Sequence, residues 1–166
     1  VAGREEKIPD GLQVPPIVLH QDEIDSSMMV FDQVLRQARK RWPHTRLGII
    51  YVPSVAVSYR IVSESVNIYD TDRGKSYPSS LVIPASDMAC NRIQAIAAAN
   101  NVYFLDARNA IRHKASQEFI HGPVDWLHFN EAGYRVLADE IEKLMAQIES
   151  SRLNVGCAQL APDSGL

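Results

Sequence analysis

The sequence predicts an α/β fold in which a partial, doubly wound parallel sheet is flanked by helices. Helical and strand patterns alternate along the chain, and this order favours parallel strands joined by right-handed crossovers. Two short runs, Arg46–Val52 and Val102–Leu105, are largely apolar and β-branched or aromatic, which is typical of strands buried on both faces. Because two strands are few for an independent sheet, we expect the second half of a larger domain.

The 166 residues have the composition of one globular domain, with 46% hydrophobic and 22% charged residues. Residues 1–25 are rich in proline and charge and are predicted to be irregular. Residues 26–150 form the predicted α/β region, and the aperiodic tail 151–166 is expected to be disordered. The chain begins with valine rather than methionine, so we expect it to be a processed or truncated piece.

The first two helices are predicted from caps and breakers. A cap at Ser26 or Ser27 starts a helix that Pro43 ends. A second helix is predicted to start from a cap at Ser86 and to end at Asn100–Asn101, because asparagine tolerates the left-handed conformation that closes helices.

The remaining elements surround the second strand. Residues 55–84 show no sustained period and are predicted to form a long loop. Residues Ala107–Ala115 predict a short helix after that strand. Asn130 is predicted to cap a final helix over 131–148, whose apolar residues repeat at intervals of three and four.

Composition limits the partners and cofactors. Twenty acidic against 17 basic residues give a net charge of -3, so no electrostatic footprint for nucleic acid is present. No apolar run is long enough for a membrane span, and no signal-peptide core is present. The only two cysteines, Cys90 and Cys157, do not define a disulfide framework, and their redox state stays open. We expect no cofactor and no metal, because the histidines outside residues 125–128 lack ligand spacing: His20, His44, His113 and His121.

A carboxylate and an imidazole lie three residues apart at Asp125 and His128. On a tight turn the carboxylate accepts a hydrogen bond from one ring nitrogen and leaves the other free as a general base, which makes two-thirds of a hydrolytic triad. A capping aspartate beside a surface histidine is the structural alternative. Because sites in parallel sheets form at the carboxyl ends of the strands, we expect Ser54, Asp106 and Asn130 at the rim of the same site.

The run Asp125–Tyr134 resembles the last conserved block of the SGNH (GDSL-type) hydrolase family. Residues Arg92–Asp106 look like the penultimate helix and strand of that family. Arg41-Trp42-Pro43, leading to Ile49–Pro53, looks like the preceding pair. The similarity covers about Ser27–Ile148, with 55–84 unmatched, and implies a flavodoxin-like, SGNH-type sheet.

The resemblance implies that His128 is the general base and Asp125 its orienting carboxylate, in a serine esterase that acts on acyl esters or on carbohydrate O-acyl groups. The chain has no Gly-Asp-Ser block for the nucleophile and no glycine-x-asparagine-aspartate block for the oxyanion hole. We therefore expect the serine on sequence before Val1 and the present chain to be inactive alone. Ser54 is the best-placed internal alternative, but it lacks the glycines of a nucleophile elbow. Relatives are often secreted or periplasmic, and the compartment of this chain stays unassigned.

Two other interpretations remain. The first is a non-catalytic SGNH-like domain that serves as a carbohydrate-binding or assembly module. The second is a plain flavodoxin-like domain whose Asp-x-x-His spacing is accidental. For partners, exposed sheet edges predict self-association or pairing with a missing N-terminal segment, and the substrate is a small-molecule or carbohydrate ester.

Overall fold

The computed structural model describes residues 1–7, 17, 19–70, 73–151 and 156–160, with the side chains of 68–75 outside the description. It confirms the α/β prediction. The elements in chain order are α1 Gln21–Arg41, β1 Gly48–Tyr51, α2 Val55–Ser58, β2 Ser65–Asp70, β3 Arg73–Pro78, a 3₁₀ turn Ser79–Leu81, α3 Val82–Ala99, β4 Tyr103–Asp106, α4 Arg108–Gln117 and α5 Glu131–Glu149.

The two predicted strands are confirmed and pair with each other. Strands β1 and β4 run parallel, with Gly48 opposite Tyr103 and Tyr51 opposite Asp106. A Cβ at Gly48 would lie only 3.0 Å from a methyl carbon of Leu144, so glycine allows α5 to approach the sheet closely. The carboxyl ends of both strands therefore lie side by side at one edge.

Helices cover both faces of this pair. One face, with Ile49 and Phe104, packs in a cluster with residues of α1 and α3. The opposite face, with Ile50 and Leu105, packs in a cluster with residues of α4 and α5. This burial on both faces explains why the strands have near-continuous apolar sequences.

The region 55–84 is not the unstructured loop that we predicted. It contains α2 and an antiparallel hairpin, in which β2 and β3 pair from Ser65–Pro78 to Asp70–Arg73. The four-residue α2 is too short to show a helical period, β2 alternates polar and apolar residues only from Ser65 to Ile68, and β3 is mostly polar. Neither feature gives a clear hydrophobic pattern.

Two helix starts were also predicted wrongly. Helix α1 begins at Gln21 rather than after Ser26 or Ser27, and the Glu23 carboxylate accepts from the backbone N–H of His20 at 2.7 Å. Helix α3 begins at Val82, so Ser86 is an interior, fully buried residue and not a cap. The first turn of a helix tolerates proline, as at Pro84, because its N–H groups lack intrahelical acceptors.

The other helix boundaries are close to prediction. Asn100 ends α3, and Asn101 follows with a positive φ of 52°. Helix α4 runs two residues beyond the predicted end at Ala115. None of the described helices is long and apolar enough to cross a membrane, as the sequence predicted.

The described part of the tail, residues 156–160, is packed rather than disordered. Cys157 forms a disulfide with Cys90 of α3, and Leu160 is buried beside residues of α2 and α3. The spacing of 67 residues between the two cysteines gave no hint of this pairing. The rest of the predicted tail, 152–155 and 161–166, and residues 8–16 and 18 of the predicted N-terminal segment lie outside the described residues.

Candidate functional site

The Asp125–His128 pair lies on a loop that connects α4 to α5. An antiparallel bridge between His121 and Phe129 closes the base of this loop. The backbone N–H of Asn130 also donates to the carbonyl of Ile120 at 2.9 Å. The pair is therefore held between two points that lie close together in space.

Glycine is required at the start of the loop. Gly122 has a positive φ of 69°, and a Cβ there would lie 2.7 Å from the Trp126 ring. Its N–H donates to the Asp125 carbonyl at 2.9 Å. Trp126 in turn packs edge-on against Phe119, with ring centroids 5.4 Å apart. This packing fixes the tight turn that carries the dyad formed by Asp125 and His128.

The first turn of α5 holds the other end of the loop. Asn130 caps the helix, as predicted, because its Oδ1 accepts from the N–H of Gly133 at 3.2 Å, and its Nδ2 donates to the Phe119 carbonyl at 2.9 Å. A Cβ at Gly133 would lie 2.5 Å from the Ile120 carbonyl oxygen. Asn130 thus supports the site through the backbone.

Asp125 and His128 form the predicted contact. The Nδ1 of His128 lies 2.5 Å from Oδ2 of Asp125, while Oδ1 accepts from the Leu127 N–H at 2.8 Å. The hydrogen bond from His128, helped by that from Leu127, lowers the pKa of the Asp125 carboxyl below its ordinary value. The carboxylate stays ionised and holds the proton of His128 on Nδ1, so Nε2 is left to act as a base.

His128 borders a cavity of about 570 Å³ at the carboxyl end of β1. His128, Ser54 and His121 line this cavity together with apolar side chains: Met28, Val55, Ile93, Leu127, Phe129 and Leu137. The side chains of His128 and Asp125 are 68% and 53% exposed. The imidazole of His128 is therefore open both to solvent and to the cavity.

Ser54, a predicted rim residue, lines the same cavity as His128. It is the N-cap residue of α2, but its side chain makes no cap hydrogen bond. Its Oγ is buried and has no partner among the described residues. His128 therefore does not hold the Ser54 hydroxyl, and no activated serine nucleophile is formed at this position.

Asp106, another predicted rim residue, has its carboxylate bound by other partners and makes no hydrogen bond to Asp125 or His128. Its oxygens accept from Nε and Nη2 of Arg108, at 2.9 Å each, and from the Ala158 N–H at 3.0 Å. The Arg108 side chain is fully buried and also reaches Asp87 at 2.5 Å. Burial lowers the pKa of Arg108, but the Asp106 and Asp87 carboxylates outweigh it and leave that pKa raised. Asp106 is thus half of a buried ion pair.

Sequence reasoning missed His121 and Tyr59. Both side chains are buried, and the Tyr59 hydroxyl lies 3.0 Å from Nδ1 of His121. They are 62 residues apart, so no local spacing relates them. The only signal was the position of His121 directly before the Gly-Pro that opens the loop.

One cluster of three potential metal ligands occurs among the described residues, formed by Cys90, Cys157 and Asp106. The two sulfurs are joined in a disulfide and the carboxylate is bound to Arg108. Metal-binding thiolates are therefore not available in this arrangement.

The chain was also compared with known proteins. No family profile, curated protein or solved structure matches it.

Proposed function

We propose that this chain is the C-terminal portion of an SGNH-like serine ester hydrolase and contributes the histidine and aspartate of its triad. The observation that carries the proposal is the 2.5 Å contact between Asp125 Oδ2 and His128 Nδ1 beside the cavity. The alternative, in which Asp125 is a helix cap beside a surface histidine, does not account for this contact. Helix α5 is already capped by Asn130, and outside the dyad Asp125 accepts only the backbone N–H of Leu127.

The proposed reaction follows from the free Nε2 of His128. A serine hydroxyl attacks the acyl carbonyl while Nε2 takes its proton, and Asp125 stabilises the resulting imidazolium. The tetrahedral intermediate then expels the alcohol, which receives that proton from His128. A water molecule hydrolyses the acyl-enzyme by the same proton path, and serine is regenerated.

The attacking serine is proposed to lie on polypeptide outside these 166 residues. The chain lacks a Gly-Asp-Ser block, and Ser54, the serine among the described residues that line the cavity with His128, has its Oγ buried without a hydrogen bond to His128. By itself the chain then carries a base and its orienting carboxylate but no activated nucleophile. A larger, doubly wound sheet is part of the same proposal.

The unpaired edge of β1 is where we propose that a further strand of the larger sheet pairs. Within the described residues, β1 pairs with β4 alone, so its other edge leaves backbone groups unpaired. One face of α1 contacts α3, because Asp25 pairs with Arg92 and Asp32 accepts a hydrogen bond from Asn100 at the end of α3. Val30 and Val34 lie on the opposite face of α1 and are exposed.

Helix α5 shows the same asymmetry on the opposite face of the sheet. Its residues Ala132 and Val136 pack in the cluster shared with α4, whereas Ile141 and Met145, on the other flank, are exposed. Both helical layers thus carry exposed apolar side chains, and we propose that these cover a strand added at the free edge of β1. A strand inserted there would be covered on both faces, as parallel strands are.

The test uses the full-length protein that contains this chain and measures hydrolysis of p-nitrophenyl acetate. We expect His128→Ala to reduce kcat at least about 1,000-fold, because loss of a triad member removes the general base. His113→Ala is the matched control, since His113 lies exposed on α4 and contacts Gln117. It should leave the rate unchanged.

Turnover that survives His128→Ala would overturn the proposal. It would favour the non-catalytic interpretation of the dyad, with hydrolysis arising elsewhere in the protein.

A further inference from the structure

A second histidine of the same loop, His121, lies under the cavity with one ring nitrogen unused. The residue is only 3% exposed, and its ring packs 4.7 Å from that of Phe129. Its Nδ1 contacts the Tyr59 hydroxyl, whereas Nε2 makes no hydrogen bond to any described residue. The described structure therefore uses only half of the hydrogen-bonding capacity of this imidazole.

The hydrogen bonds of Tyr59 determine which nitrogen carries the proton. The phenolic oxygen accepts from the backbone N–H groups of Ile120 and His121, at 3.1 Å each. A phenol has two acceptor sites and one proton, so the contact to Nδ1 at 3.0 Å must use that proton. Nδ1 is the acceptor, and the neutral ring of His121 carries its hydrogen on Nε2.

Burial keeps both partners in these protonation states at neutral pH. It raises the pKa of Tyr59, although the two backbone hydrogen bonds oppose it, so the phenol keeps its proton. It lowers the pKa of His121 to about 4, so the imidazole stays uncharged. The free group at Nε2 is thus a neutral N–H donor, on the loop that carries the proposed base.

Ser54 is the second unmatched polar group at this cavity. It lines the cavity together with His121 and His128, and its Oγ is buried without a partner. A buried donor without an acceptor is unfavourable and rare in native proteins. Ser54 Oγ is such a buried group, and His121 Nε2–H is a second donor without a described partner in the same, mainly apolar wall. Together they suit a ligand that brings one acceptor oxygen on an apolar body.

We infer that His121 Nε2–H and the Ser54 hydroxyl bind the carbonyl oxygen of a neutral acyl ester whose acyl group occupies the apolar cavity. This assignment rests on the proposed function, in which His128 acts on the same ester. It gives the chain donors for the oxygen that becomes negative in the tetrahedral intermediate. The substrate class is a neutral ester with an apolar acyl group rather than a charged acyl donor.

The experiment uses the full-length protein and 4-nitrophenylacetone, a ketone in which a methylene replaces the ester oxygen of p-nitrophenyl acetate. We expect saturating ketone to shift the ¹⁵N–¹H resonance of His121 Nε2 in the wild-type protein. His121→Phe keeps an aromatic ring against Phe129 and removes the donor. It should weaken ketone binding about tenfold and reduce kcat/KM for the ester about 100-fold.

Ser54→Ala is the second variant and should also weaken ketone binding. If His121→Phe is unfolded by circular dichroism, the wild-type resonance and Ser54→Ala decide the question. A His121 resonance that ketone does not move would overturn the inference. Unchanged ketone binding and turnover in both folded variants would also overturn it.

His128→Ala separates this inference from the proposed function. If both hold, the variant loses ester turnover but binds the ketone as the wild type does. Turnover that persists in His128→Ala counts against the proposed function alone, because ketone binding at His121 is measured without any chemical step.

Discussion

Two aspartates near the carboxyl ends of the strands each pair with a basic side chain, Asp125 with His128 and Asp106 with Arg108. The two pairs differ in exposure and in the number of their other contacts. Asp125 and His128 are more than half exposed and make few other contacts. Asp106 and Arg108 have side chains that are 3% and 0% exposed, and each makes several hydrogen bonds. Both aspartates looked like rim residues in the sequence.

Exposure and partner decide what each pair can do. Water can reach the imidazole of His128, and a group so exposed can exchange its proton with solvent. The Arg108 guanidinium does not lose its proton, and Asp106 is enclosed by donors. The first pair is suited to chemistry. The second fastens α3, β4 and the 156–160 segment together, because Arg108 contacts Asp87, Asp106 and the Ala158 carbonyl.

The largest expected effect distinguishes the pairs by activity. In the full-length protein, Asp125→Asn should reduce ester turnover about 10,000-fold, because an amide no longer selects the tautomer of His128 that leaves Nε2 free. The thermal midpoint should stay within about 1 °C, since exposed substitutions rarely alter stability. Turnover and circular dichroism melting are measured on the same samples.

Asp139→Asn is the control, because Asp139 is exposed on α5 and its substitution leaves every contact of Asp125 and His128 in place. If Asp125→Asn lowered turnover and the thermal midpoint together, the aspartate would belong with Asp106 as a structural residue.

The second expected effect concerns stability. Arg108→Met should reduce the free energy of unfolding by about 4 kcal/mol, because it leaves the buried Asp106 carboxylate without its cation. Urea unfolding followed by circular dichroism measures the loss. Arg135→Met is the matched control, since the Arg135–Glu131 pair is almost fully exposed and such pairs contribute little.

The double variant Arg108→Met/Asp106→Asn sharpens the result. It should recover part of the lost stability, because the uncompensated charge is removed. A loss below about 1 kcal/mol in Arg108→Met would show that the network does not hold the fold together.

The sequence predicts what is local. The apolar runs around Phe104 and Ile50 give the strands, Asn130 gives the α5 cap, and the three-residue spacing gives the Asp125–His128 contact. Each depends on neighbours within a few positions, where side-chain periodicity and capping act directly.

What the sequence does not predict depends on contacts between distant residues. The disulfide partners are 67 positions apart, and the hydroxyl that fixes the tautomer of His121 comes from Tyr59, 62 positions away. Nothing in the predicted short helix Ala107–Ala115 indicates that the Arg108 side chain is buried. Its burial depends on Ala158 of the tail, whose aperiodic sequence indicated disorder. Such groupings follow from the fold as a whole.

The smallest of the three effects tests the contrast within the loop itself, between exposed His128 and buried His121. Burial lowers the pKa of His121 to about 4, whereas in the unfolded chain it is near 6.5. Between these values the unfolded chain binds more protons, so stability is complete above pH 6.5 and falls as the pH drops toward 4, by about 3 kcal/mol. Urea unfolding at a series of pH values measures this decline.

His121→Phe isolates the contribution, because other groups titrate in the same range. The difference in unfolding free energy between wild type and variant should change by that amount from pH 7 to pH 4. His113→Gln, at an exposed histidine, should leave the pH dependence of the wild type intact. Parallel curves for wild type and His121→Phe would mean that His121 takes up its proton at the same pH in the folded and unfolded chain, so burial would not be what keeps its ring neutral.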